Sequence, residues 1–120
     1  MNSFYLVDGQ TSVRHMLADM LAQRQGYEVV GQTGDGAAAL EEIQRLRPSV
    51  VIMESRLPSL NGSDLIRRLK RELPETHFMV YSDEKSPMVV KEILKAGANG
   101  YIEKSVSLSE LLNCVRIVSE

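Results

Sequence analysis

The chain has 120 residues, of which 43% are hydrophobic and 25% charged, with a net charge of −2 and a pI near 5.7. That is the make-up of one soluble globular domain, residues 1–120, large enough to bury a single core. The acidic balance speaks against direct nucleic-acid binding. The lone Cys114 excludes an internal disulfide and suits a reducing cytoplasm, and neither a membrane-spanning run nor a signal-peptide pattern is present.

The elements read as five strand–helix units. Strand one runs from Ser3 to Asp8, and helix one follows with Val13, Met16, Leu17, Met20 and Leu21 on one face, stopping at Gly26. Strand two covers Tyr27 to Gln32. The Gly34-Asp35-Gly36 turn leads into helix two, with Leu40, Ile43 and Leu46 inward, and Pro48 separates it from strand three, Val50 to Glu54. The next stretch, Ser55 to Gly62, is rich in turn formers. Helix three carries Leu65, Ile66 and Leu69 and ends by Pro74, and strand four runs from Thr76 to Ser82. Helix four opens with Ser86 as N-cap and Pro87 as first residue, shows Val89, Val90, Ile93 and Leu94 as its apolar face, and stops at Gly97. Strand five is Gly100 to Glu103. Helix five starts on the capping box Ser107-Leu108-Ser109-Glu110, with a stripe of Leu108, Leu111, Leu112, Val115 and Val118.

Strands alternating with single helices imply right-handed crossovers and a parallel sheet. The expected fold is α/β, a flavodoxin-like (βα)5 doubly wound sheet with strand order 2-1-3-4-5. The carboxyl ends of such strands face one crevice. Strand one runs into Asp8, strand three into Glu54, strand four into Ser82 and strand five into Lys104. Two acids, a hydroxyl and an amine would then converge, which is a set suited to an anion or phosphoryl group. Cys114 reads as a helix residue at the core edge, and the run Arg67-Arg68 with Lys70-Arg71 as a solvated face. His15 and His77 have no partners at metal-ligand spacing.

Leu6-Val7-Asp8, Val51 to Pro58, Ser82, and Gly97-Ala98-Asn99-Gly100-Tyr101-Ile102-Glu103-Lys104 resemble the receiver domain of two-component response regulators over essentially the whole chain. The Gly97 to Tyr101 segment and the Gly34-Asp35-Gly36 turn look most like receivers attached to LuxR-type helix-turn-helix output domains. The resemblance implies an aspartate at the end of strand three that takes a phosphoryl group from a histidine kinase. It implies an acid pair after strand one for Mg²⁺, a Ser or Thr and a Lys that hold the phosphoryl oxygens, and an aromatic on strand five that reorients on activation. Carried over, the acceptor position is Glu54, the first acid is Asp8, the hydroxyl is Ser82, the amine is Lys104 and the switch aromatic is Tyr101.

Two departures fall on the chemistry. Glu54 stands in place of the acceptor aspartate, one methylene longer, which disturbs the in-line geometry of phosphoryl transfer. Gly9 stands in place of the second acid, removing a hard oxygen ligand, so Mg²⁺ binding is expected to be weak, on Asp8 and Glu54 at most, or lost. Lys104 is expected within ion-pair reach of Glu54 or Asp8, in a partly exposed pair worth about 1 kcal/mol or less.

The reading is an atypical receiver that signals by protein contact, through a partner or output domain, with no enzymatic activity and no cofactor. The outer face of helix five offers Asn113, Arg116 and Glu120, so at most a weak symmetric dimer is expected. One alternative is a conventional Mg²⁺-dependent phospho-acceptor receiver served by a histidine kinase. Another is a small phosphate-handling enzyme or flavin-binding protein of the same topology, against which the lack of a phosphate loop after strand one counts. LuxR-type regulators continue into a DNA-binding domain, so these residues are expected to be able to stand as the receiver end of a longer protein.

Overall fold

The computed structural model describes residues 2–120. Five strands alternate with five helices: β1 (Asn2–Val7), α1 (Thr11–Ala22), β2 (Tyr27–Thr33), α2 (Gly36–Leu46), β3 (Val50–Met53), α3 (Gly62–Glu72), β4 (His77–Ser82), α4 (Pro87–Ala96), β5 (Gly100–Glu103) and α5 (Leu108–Ser119). The strands form one parallel sheet in the order β2-β1-β3-β4-β5. This is the expected flavodoxin-like arrangement.

The near-continuous apolar strands follow from helices on both faces. All four residues of β3 are buried. Their side chains alternate between two cores. Tyr5, Val7, Val51, Met53, Phe78 and Val80 face the core that includes α2, α3 and α4. Phe4, Leu6, Val50, Ile52, Met79 and Tyr81 face the core closed by α1 and α5. A register shift between Phe4 and Tyr5 lets β1 follow β2 past Val30, placing Tyr5 beside Gly31. A Cβ on Gly31 would lie 2.7 Å from the Tyr5 ring, so glycine gives that ring its room. The Tyr5 hydroxyl donates to Glu42 Oε1 at 2.5 Å.

Several local expectations differ. Leu94 and Leu108 are 46% and 54% exposed rather than part of a buried face. Helix α4 covers the short edge strand β5, whose residues are only partly buried, and Ile93 is its one buried residue. Leu108 is the first residue of α5, at the end of its stripe. Ser86 is the N-cap of α4 but its side chain makes no capping bond. Ser107 does cap, accepting from the Glu110 N–H at 3.2 Å. Lys70 is not on a solvated face: its ammonium donates to the Thr76 carbonyl at 2.8 Å and lies 5.7 Å from the Phe78 ring centre. Burial pulls its pKa down. Arg67 pairs with Asp64 and Glu92, whereas Arg68 and Arg71 are exposed. Cys114 is half-buried at the edge of the α1–α5 core. No helix among the described residues is long and apolar enough to cross a membrane.

Candidate functional site

Strand register builds the site. Val7 pairs with Met53, Met53 with Val80, and Ser82 with Glu103. Asp8 and Glu54 are each one residue beyond a paired position, on neighbouring strands. Their backbones continue the ladder briefly, Glu54 N–H donating to the Val7 carbonyl at 2.9 Å and Asp8 N–H to the Thr33 carbonyl at 3.1 Å. Lys104 N–H donates to the Ser82 carbonyl at 2.9 Å. Asp8, Glu54, Ser82 and Lys104 therefore line one open crevice of about 470 Å³, together with Gly9, Arg56 and Glu84.

Lys104 Nζ donates to Asp8 Oδ2 and to Glu54 Oε1, both at 2.9 Å. The pair is partly exposed, as expected, though only slightly: the side chains of Lys104 and Glu54 keep 10% and 15% of their exposure and that of Asp8 4%. The loops after β1, β3 and β4 wall the crevice, so the ammonium reaches its partners below the surface. The other oxygen of Glu54, Oε2, accepts from the Ser55 N–H at 2.6 Å, from the Ser55 hydroxyl at 3.1 Å and from the Ser82 hydroxyl. Ser55 Oγ and Ser82 Oγ stand 2.9 Å apart. Burial by itself would raise the Glu54 pKa, but hydrogen bonds from Ser82, Lys104 and the Ser55 amide, with the Lys104 charge, hold it below the usual carboxylate value. Burial by itself would lower the Lys104 pKa, but its bonds to Asp8 and Glu54 and their charges raise it. The Tyr81 ring centre lies 5.9 Å from Lys104 Nζ, and burial pushes the Tyr81 phenol pKa up.

The remaining acceptor of Asp8, Oδ1, takes the Gln10 N–H at 2.8 Å, which orients the carboxylate. Gly9 contributes no side chain, and a Cβ there would meet nothing within 4 Å. Among the described residues no group of three His, Cys, Asp or Glu side chains is arranged to hold a metal ion. Both crevice carboxylates that could face a cation, Asp8 and Glu54, accept from Lys104.

Tyr101 stands outside the crevice lining. It packs against the core beside α3 and α4, and its hydroxyl donates to the Glu84 carbonyl at 2.6 Å. Glu84 N–H in turn donates to Ser82 Oγ at 3.1 Å, so the loop between β4 and α4 links the two residues. Sequence reasoning missed Ser55, Arg56 and Glu84. The Ser55 signal was local, a hydroxyl directly after the acid. Arg56 and Glu84 form an ion pair across a separation of 28 residues, for which no sequence spacing rule exists.

The response regulator receiver domain model matches residues 4–116. The chain is 32% identical over 114 residues to the DNA-binding transcriptional activator DevR/DosR of Mycobacterium tuberculosis, covering 95% of this chain and 52% of that protein. It is 32% identical over 115 residues to the chemotaxis protein CheY of Thermotoga maritima, covering 96% and 95%. Among solved structures, the response regulator domain of Thermotoga maritima CheB superposes with a TM-score of 0.87 at 28% identity, covering 99% and 96%. The chain spans about half the length of several response regulators it matches. It belongs to the response regulator receiver domain family.

Proposed function

We propose that this receiver is atypical: it works in two-component signalling by protein contact, with Glu54 standing where a phosphoryl group would otherwise be held, and without phosphorylation or Mg²⁺. One observation carries the reading. The Glu54 carboxylate already occupies Lys104 and Ser82, the amine and hydroxyl that the resemblance assigns to the phosphoryl oxygens. Lys104 bonds to one of its oxygens and three donors bond to the other, which lowers the nucleophilicity of the carboxylate. Lys104 places one positive charge between Asp8 and Glu54, half of what a divalent cation would bring. The imitation is partial, since a carboxylate has one charge and two oxygens against up to about two charges and three oxygens for a phosphoryl group.

The partner is an output domain or a separate protein. Relatives about twice as long, one of them named a DNA-binding transcriptional activator, favour transcription as the output. A conventional phospho-acceptor reading, with a histidine kinase as partner, draws on the retention of Asp8, Ser82 and Lys104 in the crevice. Incubation with acetyl phosphate and Mg²⁺ followed by intact-mass measurement separates the two. The expected result is an unchanged mass. A stable gain of one phosphoryl group, absent from Glu54→Ala, would establish the conventional reading instead.

A further inference from the structure

Each polar group of Glu84, at the crevice edge, has a different partner. Its N–H donates to Ser82 Oγ at 3.1 Å, and its carbonyl accepts from the Tyr101 hydroxyl at 2.6 Å. Its Oε1 accepts from the Ser86 N–H at 3.0 Å, and its Oε2 accepts from Arg56. The Arg56 side chain is 82% exposed and that of Glu84 14%, so the pair lies on the solvent side of the crevice. It joins the loop after β3 to the loop after β4.

The start of α4 is bonded to this residue. Ser86, where the helix begins, makes no side-chain capping bond, and the next residue, Pro87, has no N–H to give. Only Ile93 of α4 is buried, and Met88 in its first turn is 81% exposed. A turn with so little packing sits at the low-stability end of the domain, where a few polar contacts decide its order.

We propose that the Arg56–Glu84 ion pair is a strap: it ties together the two loops that border the crevice and, through the same carboxylate, holds the start of α4, so that parting these loops and loosening α4 are one event. Arg56 lines a small cleft with Val89 and Glu92 of α4, but among the described residues its polar link to the helix start passes through Glu84. An exposed pair is weak and screened by salt, which makes the strap releasable by a partner carrying an anionic group for Arg56. The strap does not depend on Glu54 acting in place of a phosphoryl group; only the role of the crevice beside it rests on that reading.

Amide hydrogen exchange read by NMR tests it. The reporter is the Val90 amide, which donates to the Ser86 carbonyl at 3.0 Å and closes the first turn of α4. Arg56→Ala should speed Val90 exchange by about two- to fivefold, the range an exposed pair can supply, while amides in α1 stay unchanged. High salt should reproduce this in the parent protein and add nothing in Arg56→Ala. Glu84→Gln, which keeps an oxygen for Ser86, should behave like Arg56→Ala, and the double variant should add no further effect. Unchanged Val90 exchange in a folded Arg56→Ala, or an equal salt effect in both proteins, would overturn the strap. The mass measurement with acetyl phosphate can fail while this result stands, so the two readings fall separately.

Discussion

Lys104 and Glu54 form an ion pair inside the crevice, with Nζ 2.9 Å from Oε1 and side chains that keep only a small part of their exposure. Asp8 completes the bridge from the other side at 2.9 Å. Removing the ammonium would leave two carboxylates facing one another in a walled crevice. Breaking a buried pair costs about 3–5 kcal/mol, and the open side of this crevice should bring the cost to about 2–3 kcal/mol. Lys104→Met is therefore expected to lose that much stability in urea unfolding, more than a surface pair would cost. Adding Glu54→Gln to it should recover part of the loss. A loss below about 0.5 kcal/mol would mean that water reaches the bridge freely.

The same bridge sets a pH dependence with a definite sign. Glu54 is held below its ordinary value of 4.5, so its contribution is fully present above that value and is lost as pH falls through the lower folded value. Lys104 is raised above 10.5, so its contribution is present below 10.5 and is lost as pH climbs through the higher folded value. Between these limits the network should leave stability flat. Glu54→Gln should flatten the acid side of the stability profile and leave neutral pH without a new slope. Chemical denaturation across pH measures this, and an unchanged acid slope in the variant would contradict it.

Gly9 leaves open space where a second acid would stand. Glu54→Asp alone should stay silent in calorimetry with millimolar Mg²⁺, as should the parent protein. Gly9→Asp combined with Glu54→Asp should bind the ion, because it supplies a second carboxylate beside Asp8 and withdraws the longer one from Lys104. Specific Mg²⁺ binding by the parent protein would refute the metal-free reading.

The outer side of α5 is less polar than the sequence suggested. Ile117 is 57% exposed. Arg116 is turned to its own helix, bonded to Glu120 at 3.0 Å and to Asn113 at 2.8 Å. A symmetric contact through α5 would therefore centre on isolated apolar residues with little free charge around them, which still favours weak association. The expected state is a monomer at low concentration with a weak dimer on concentration. Ile117→Lys should abolish that dimer. If Glu54 biases the domain towards its paired state, Glu54→Ala should weaken it. Sedimentation equilibrium on the three proteins decides, and equal constants throughout would place the contact elsewhere and remove Glu54 from it.

The sequence by itself determined the order of elements, the doubly wound sheet and the four strand ends that meet. These rest on local signals: apolar runs that need cover on both faces, helical periodicity, and turn residues between them. Once strands β1, β3, β4 and β5 are neighbours, the residues after them share one crevice whatever their chemistry. The departures at Glu54 and Gly9 were equally legible, since each is a residue type at a position. Only the tertiary structure decided how those side chains use the space. That Lys104 bridges both acids below the surface, that Ser55 joins Ser82 on one oxygen of Glu54, and that Glu84 ties Arg56 to the start of α4 all depend on loop paths and rotamers. Most of these contacts join residues 27 or more positions apart. The misread positions on α4 and α5 have a related origin: periodicity marks which residues share a side of a helix, but the short edge strand β5 sets how far α4 is covered, and Leu108 lies at the very start of α5.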